Sequence, residues 1–151
     1  KDKLELKTVS GDIISTLDLS DNKVKLKTVS GDIVIEDVKS PSISTTSGDI
    51  TVGKVNGKSS FSTVSGDIKV NSLTESFSIS TTSGDITIST MNINKDSSIK
   101  TVSGDIIVKN NESDIYVDYS SVSGKADIRY NNSKSDITLK VNAVSGDITI
   151  D

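Results

Sequence analysis

Thr101-Val102-Ser103-Gly104-Asp105-Ile106 is the phrase on which this chain turns, because its Ser-Gly core returns eight times. The glycines are Gly11, Gly31, Gly48, Gly66, Gly84, Gly104, Gly124 and Gly146, separated by 20, 17, 18, 18, 20, 20 and 22 residues. Self-similarity at such a period marks stacked supersecondary units rather than one closed globule. Serine precedes every one of these glycines and aspartate follows seven, the exception being Lys125. Between β-rich runs the triplet reads as a corner: glycine takes φ > 0 at little steric cost, and Ser and Asp side chains hydrogen-bond nearby backbone amides.

Alignment on the glycine exposes columns. Seven residues before it stand Leu4, Val24, Phe77, Val117 and Leu139, and five before it Leu6, Leu26, Ile43, Phe61, Ile79, Ile99, Tyr119 and Val141. The position between them is polar in every unit, from Glu5 and Lys25 to Asp118 and Lys140. That is the period of two of a half-buried strand. Beyond the corner the alternation resumes with Ile13, Ile33, Ile50, Ile68, Ile86, Ile106 and Ile148, and then Ile35, Val52, Val70, Ile88, Val108, Ile128 and Ile150.

Two strands and two turns in about twenty residues leave no room for a crossover helix. The expected fold is therefore all-β: a right-handed parallel β-solenoid of about eight coils, with two short strands per coil and Ser-Gly-Asp corners. Each strand is expected to lie parallel to its equivalent one coil earlier. A single coil offers too few apolar side chains to offset the ordering of its backbone, so stability must be collective. The loops at residues 71–76 and 92–97 are expected to absorb the length variation, and Pro41 to open a strand, where a missing amide donor is tolerated.

The unbroken repeat argues for a single domain over residues 1–151, and Lys1, opening almost directly on a strand, suggests a segment of a longer chain. Hydrophobic residues make up 32% of the sequence, but they fall in register, so a thin ordered core is expected rather than disorder. A formal charge of −4, 3% aromatics and one arginine, Arg129, argue against nucleic acid, which needs clustered cations and stacking rings. There is no apolar run of transmembrane length, so direct membrane insertion by this segment is not expected.

Histidine and cysteine are both absent, which removes the commonest general base, the commonest metal ligand and the best nucleophile. A carboxylate-only polysaccharide-active enzyme remains as an alternative, but the aspartates recur coil after coil as a structural ladder would. For Asp12, Asp32, Asp49, Asp67, Asp85, Asp105 and Asp147 two readings stand side by side. One is a calcium ladder relieving stacked carboxylates; the other, favoured here, is a corner aspartate accepting backbone amide hydrogens. No catalytic residue, cofactor or metal ligand is assigned. The stretch from Gly53 through Gly57 to Lys58 resembles a phosphate-binding loop, but it has three residues between the glycines where four are needed, and no helix follows.

In the seventh unit Lys125 and Ala126 replace the usual Asp and Ile, and all three tyrosines gather there. Alternation places Tyr119 and Tyr130 on core columns and Tyr116 on the outward phase. A further ladder is Thr8, Thr28, Thr45, Thr63, Thr81 and Thr101. Strict alternation turns these inward and sets Val9, Val29, Val64, Val102, Val122 and Val144 outside, but a corner can break the phase, so both orientations stay open at this stage. If outward, those valines with Tyr116 form the candidate contact surface.

The repeated T-V-S-G-D-I phrase resembles that of a bacterial, adhesin-labelled family of β-strand-repeat proteins, a domain of unknown function found in Firmicutes and other bacteria. The resemblance covers all eight units, with Lys125-Ala126 as the departure. It implies a β-solenoid-like domain on envelope-associated proteins and supplies no catalytic residues. From it, and from the Ser/Thr-rich exterior, the expectation is a noncatalytic extracytoplasmic adhesion or binding scaffold at the cell surface. Its partner would be a protein or cell-wall polymer, and end-to-end self-association is a further expectation. The alternative is an envelope assembly or stress-sensing module that stacks with other domains.

Overall fold

The computed structural model describes residues 3–110 and 113–151; Lys1 and its strand-opening expectation lie outside them. The elements among the described residues are β-strands, and no helix is long and apolar enough to cross a membrane. Coil 1 comprises β1 (Lys3–Ser10) and the start of β2 (Ile13–Ser30); coil 2 runs from the end of β2 into β3 (Ile33–Ser47), and coil 3 from the end of β3 into β4 (Ile50–Asn56). Coils 4 to 6 pair β5 (Ser59–Ser65) with β6 (Ile68–Glu75), β7 (Phe77–Ser83) with β8 (Ile86–Ile93), and β9 (Ser97–Ser103) with β10 (Ile106–Asn110). Coil 7 holds β11 (Tyr116–Ser123) and β12 (Ala126–Ile128), and coil 8 holds β13 (Thr138–Ser145) and β14 (Ile148–Ile150).

All the ladders are parallel and like residues pair with like, which is the β-solenoid of eight turns that the periodicity calls for. Leu26 lies against Ile43, Ile43 against Phe61, Phe61 against Ile79 and Ile79 against Ile99, all fully buried. After the corner Ile33, Ile50, Ile68, Ile86 and Ile106 form the matching row. The two rows face each other across one continuous core.

The corner fixes the spacing. Gly104 has φ 150°, and a Cβ built there would lie 2.0 Å from the carbonyl oxygen of Gly84 in the coil below. Glycine is needed twice over, for the dihedral and for the approach of the backbones. The second turn is negotiated differently. β2 and β3 run straight through it as strands of 18 and 15 residues, so coils 1 to 3 do not divide into two short strands each. Residues 71–75 likewise belong to β6 instead of a loop. The bend is made by a left-handed residue nine after the corner glycine: Ser40 (φ 46°), Gly57 (φ 88°) or Glu75 (φ 69°). Pro41 sits buried inside β3 rather than at its start, at a break in register between Lys39 and Ser42 where no ladder amide is required.

The stacking order departs from chain order at one end. β13 pairs with β9 on one side and β11 on the other, and β14 lies between β10 and β12. Coil 8 is therefore inserted between coils 6 and 7, and the expectation that each strand follows its immediate predecessor fails there. Coil 7 becomes the end of the stack. Tyr119, in register with Val141 on a core column, is consequently 47% exposed, and Tyr130 is 43% exposed; neither is core.

Gly104→Ala would drive a methyl into a backbone carbonyl and is expected to cost more than about 3 kcal/mol. At Gly11 a Cβ would meet only its own Thr8 Oγ1, at 3.9 Å, with φ 131°, so Gly11→Ala should cost about 1 to 2 kcal/mol for the dihedral alone. Urea unfolding of both variants measures the difference. Equal losses would mean that the dihedral, not the close approach, demands glycine.

Candidate functional site

The threonine row turns inward and the valine row outward. Thr28, Thr45, Thr63, Thr81 and Thr101 are buried, and the hydroxyls of Thr45, Thr63 and Thr81 donate to the carbonyls of Gly31, Gly48 and Gly66 at 3.4 to 3.5 Å. Those bonds are long and weak, and the hydroxyls of Thr28 and Thr101 find no partner, so the row serves packing at the corner more than hydrogen bonding. On the opposite face Val9, Val29, Val64, Val102, Val122 and Val144 are exposed, from 40% at Val102 to 84% at Val122. Thr46 and Thr82 complete that row. Tyr116 is 36% exposed and starts β11 at the far end of its strand from Val122, so it does not extend the row.

The corner aspartates form a ladder of acceptors. Oδ1 of Asp12 accepts the amide N–H of Asp32 at 2.9 Å, and Asp32, Asp49, Asp67 and Asp85 repeat the contact with Asp49, Asp67, Asp85 and Asp105 at 2.8 Å. Asp105 accepts from Asp147, and Asp147 from Lys125, also at 2.8 Å. Each carboxylate thus serves the coil stacked upon it, and coil 7, with nothing upon it, can dispense with one. Lys125 stands where the ladder ends. No cluster of three or more metal-ligating side chains occurs among the described residues.

The end of the stack is closed by a loop rather than a helix. Asn131 Oδ1 accepts the N–H of Val117 at 2.8 Å while its Nδ2 donates to the Val117 carbonyl at 3.1 Å, so one side-chain amide copies a paired strand on the free edge of β11. Asp114 holds the loop down. Its Oδ1 accepts the Tyr130 hydroxyl at 2.9 Å and the Asn132 Nδ2 at 2.7 Å, and its carbonyl accepts the Ser135 hydroxyl at 2.6 Å. Residues 113–115, leading up to coil 7, and residues 129–137, leading back to coil 8, are pinned together by these bonds. Neither Asp114 nor Asn131 was legible as important in the sequence; the one cue was the longest spacing, between Gly124 and Gly146.

Two adjoining depressions lie on the second-turn edge. One, of about 410 Å³, is lined by Lys58, Phe77, Asp96 and Lys140 among others; the other, of about 690 Å³, adds Lys95 and Asp136. The lookalike phosphate loop does not build a nest here: Gly53 lies within β4, and only Lys58 reaches the depressions. Asp96 and Asp136 share the larger depression, but Asp96 Oδ1 is committed to the Thr138 amide at 2.8 Å and both residues are exposed. A glycosidase needs one carboxyl in a shielded, apolar setting, and this cleft does not provide it.

A family model described as Toastrack DUF4097 matches residues 1–151. No curated protein and no solved structure matches the chain.

Asp105→Ala removes the acceptor for the Asp147 amide and is expected to destabilise by about 1 kcal/mol, whereas Lys125→Ala, beyond the last rung, should be close to neutral. The parent's melting transition should be the same in chelator and in millimolar calcium; a calcium-dependent rise that Asp105→Ala abolishes would reinstate the ion ladder. The Asp114 carboxylate, by accepting its hydroxyl, pushes the Tyr130 phenol above its ordinary value, with desolvation and the negative charge adding to the effect. A raised pKa means that the lock's contribution is fully present below the ordinary phenol range and is lost as pH rises through the raised value. The protection of the Val117 amide, taken relative to its intrinsic exchange rate at each pH, should therefore fall at strongly alkaline pH in the parent, and already at neutral pH in Asp114→Ala. Unchanged protection in that variant would show that the loop is held by other contacts.

Proposed function

The chain belongs to the Toastrack DUF4097 family, a domain of unknown function with a repeat solenoid architecture, and from that premise we propose that it acts as a noncatalytic binding scaffold on the extracytoplasmic face of a bacterial cell envelope. The observation that carries this reading is the unbroken Val/Thr row, which runs exposed from Val9 in coil 1 to Val122 in coil 7, across every layer of the stack. Exposed β-branched residues in register on a rigid sheet offer a flat, preorganised surface whose entropy cost on binding is small. The fold supplies length and rigidity, the two things an extended contact needs. Adhesion is the form of binding that the adhesin-like repeat suggests.

A second reading, an envelope assembly or stress-sensing module that stacks with other domains, draws on the outer side of coil 1. There Leu6, Ile14 and Leu17 are exposed, and the Asp12 amide, unlike those of Asp32 to Asp105, donates to no carboxylate among the described residues. Head-to-tail growth of identical rods is disfavoured under either reading, because the opposite end carries Lys125 in place of a corner carboxylate and is covered by the Asn131 loop.

The scaffold reading is tested by capture from solubilised cell envelopes. The parent should retain a partner that Val64→Lys/Val102→Lys/Val144→Lys loses by about tenfold or more, the scale expected for a central contact, with the melting transition kept. Capture that survives the triple change would remove the valine row as the contact surface.

A further inference from the structure

The outer face of coils 1 and 2 carries a concentration of charge that the fold does not ask for. Lys3 lies in register with Lys23, and Lys23 with Lys39; Lys7 lies in register with Lys27, and Lys25 stands beside Glu5. All six lysines are exposed. Parallel in-register stacking brings like charges to one strand spacing, where they repel. In coils 3 to 5 the equivalent columns hold Ser42, Ser44, Ser60, Ser62, Ser78 and Ser80, so serine satisfies the architecture at these sites. The lysines therefore answer to something other than folding, in a chain whose formal charge is −4.

Glu5 shows how an anion fares there. Its carboxylate is gripped by Lys7 at 3.2 Å, Lys3 at 3.4 Å and Lys25 at 3.8 Å. Lys7 first, then Lys3, hold its carboxyl below the ordinary value through hydrogen bonds, and the charges of Lys7 and Lys25 act in the same direction. Among the described residues no carboxylate lies within 4.0 Å of Lys23, Lys27 or Lys39. Asp21 leads into the patch two residues before Lys23, and Asp18, earlier on β2, lies in register with Asp37, two residues before Lys39. Two shallow hollows flank the centre: one of about 190 Å³ between Lys3, Lys23 and Lys25, and one of about 310 Å³ between Lys7, Lys27 and the valines Val9 and Val29.

We propose that this lysine face binds a linear polyanion of phosphodiesters joined by small polyol units, laid across the in-register lysines and onto the neighbouring serines. Ammonium groups suit phosphate as point charges without demanding the bidentate geometry of arginine. Serine hydroxyls beside them can meet polyol oxygens, and rows of weak contacts on a rigid face add up by multivalency. Nucleic acid is a poorer occupant because the tyrosines that could stack on bases lie at the other end of the stack, in and around coil 7. An anionic bilayer is poorer too, since the apolar side chains lining the hollow between Lys7 and Lys27 are the short Val9 and Val29, with no aromatic or long aliphatic side chain among them. The proposal names a partner for the scaffold but uses other columns of the same sheet, so either can fail while the other stands.

The test is titration of the intact chain with synthetic poly(glycerol phosphate), with single-stranded DNA and phosphatidylglycerol vesicles as comparison arms. Binding of the polymer should weaken about tenfold or more between 50 and 200 mM salt, as counterion release by a few lysines requires. Lys25→Ser/Lys27→Ser, which copies the serines of coils 3 to 5 and so preserves the fold, should lose about tenfold in affinity, a factor reached when two phosphate contacts are removed. Lys69→Ser/Lys109→Ser, which removes the same charge from the other ladder, should stay within about twofold of the parent. Equal losses in both pairs, an unaffected Lys25/Lys27 variant, or tighter binding of DNA or vesicles than of the polymer would each overturn the proposal.

Discussion

Everything in this molecule depends on how closely two backbones approach at the corner. Each glycine carbonyl lies so near the next glycine's α-carbon that a side chain there would overlap it, with a gap of 2.0 to 2.3 Å to the hypothetical Cβ in coils 2 to 8. That contact fixes the rise between coils and forbids slippage, because a coil shifted by one residue would bring serine or aspartate against the carbonyl. Register follows, and with it the isoleucine rows, the inward threonines and the outward valines. The aspartate ladder then satisfies one amide per corner with the carboxylate of the coil below.

The same ladder has a direction, and the direction decides which unit can end the stack. Every carboxylate faces the coil above it, so a unit without one can sit only where no coil follows. Lys125 marks that unit, and the chain obeys the chemistry rather than its own order: coil 7 takes the terminal place and coil 8 slides beneath it. The exposed edge that results is met by the Asn131 amide and by the loop that Asp114 pins, a local closure that leaves the coil 1 end unlike the coil 7 end.

Most of the architecture was legible because identical columns, such as Leu26, Ile43, Phe61 and Ile99, leave few alternatives to in-register stacking. Strict alternation pointed threonine inward, but a corner can break the phase, and only the burial of Thr28, Thr45, Thr63, Thr81 and Thr101 decided between the two orientations. Near-identical repeats, however, carry no label saying which neighbour each must pair with, so the exchange of the last two coils was hidden. Its trace, the single missing aspartate, made sense only once the direction of the amide bonds was known. Tyr119 and Tyr130 were misplaced for the same reason, since a core column is buried only when another coil covers it. The lysine rows lay in plain view, but their like-charge stacking emerged only when Lys3, Lys23 and Lys39 were found in register.

The inserted last coil also bears on how the rod would respond to tension. In a solenoid stacked in chain order, pulling on the C-terminus peels the outermost layer, which is held along one flank only. Here β13 and β14 are hydrogen-bonded on both flanks, so a load on that coil must shear two ladders at once. The fold thereby gives a doubly held position to the coil that comes last in the order of the repeats, where a stack in chain order would have a layer held on one side.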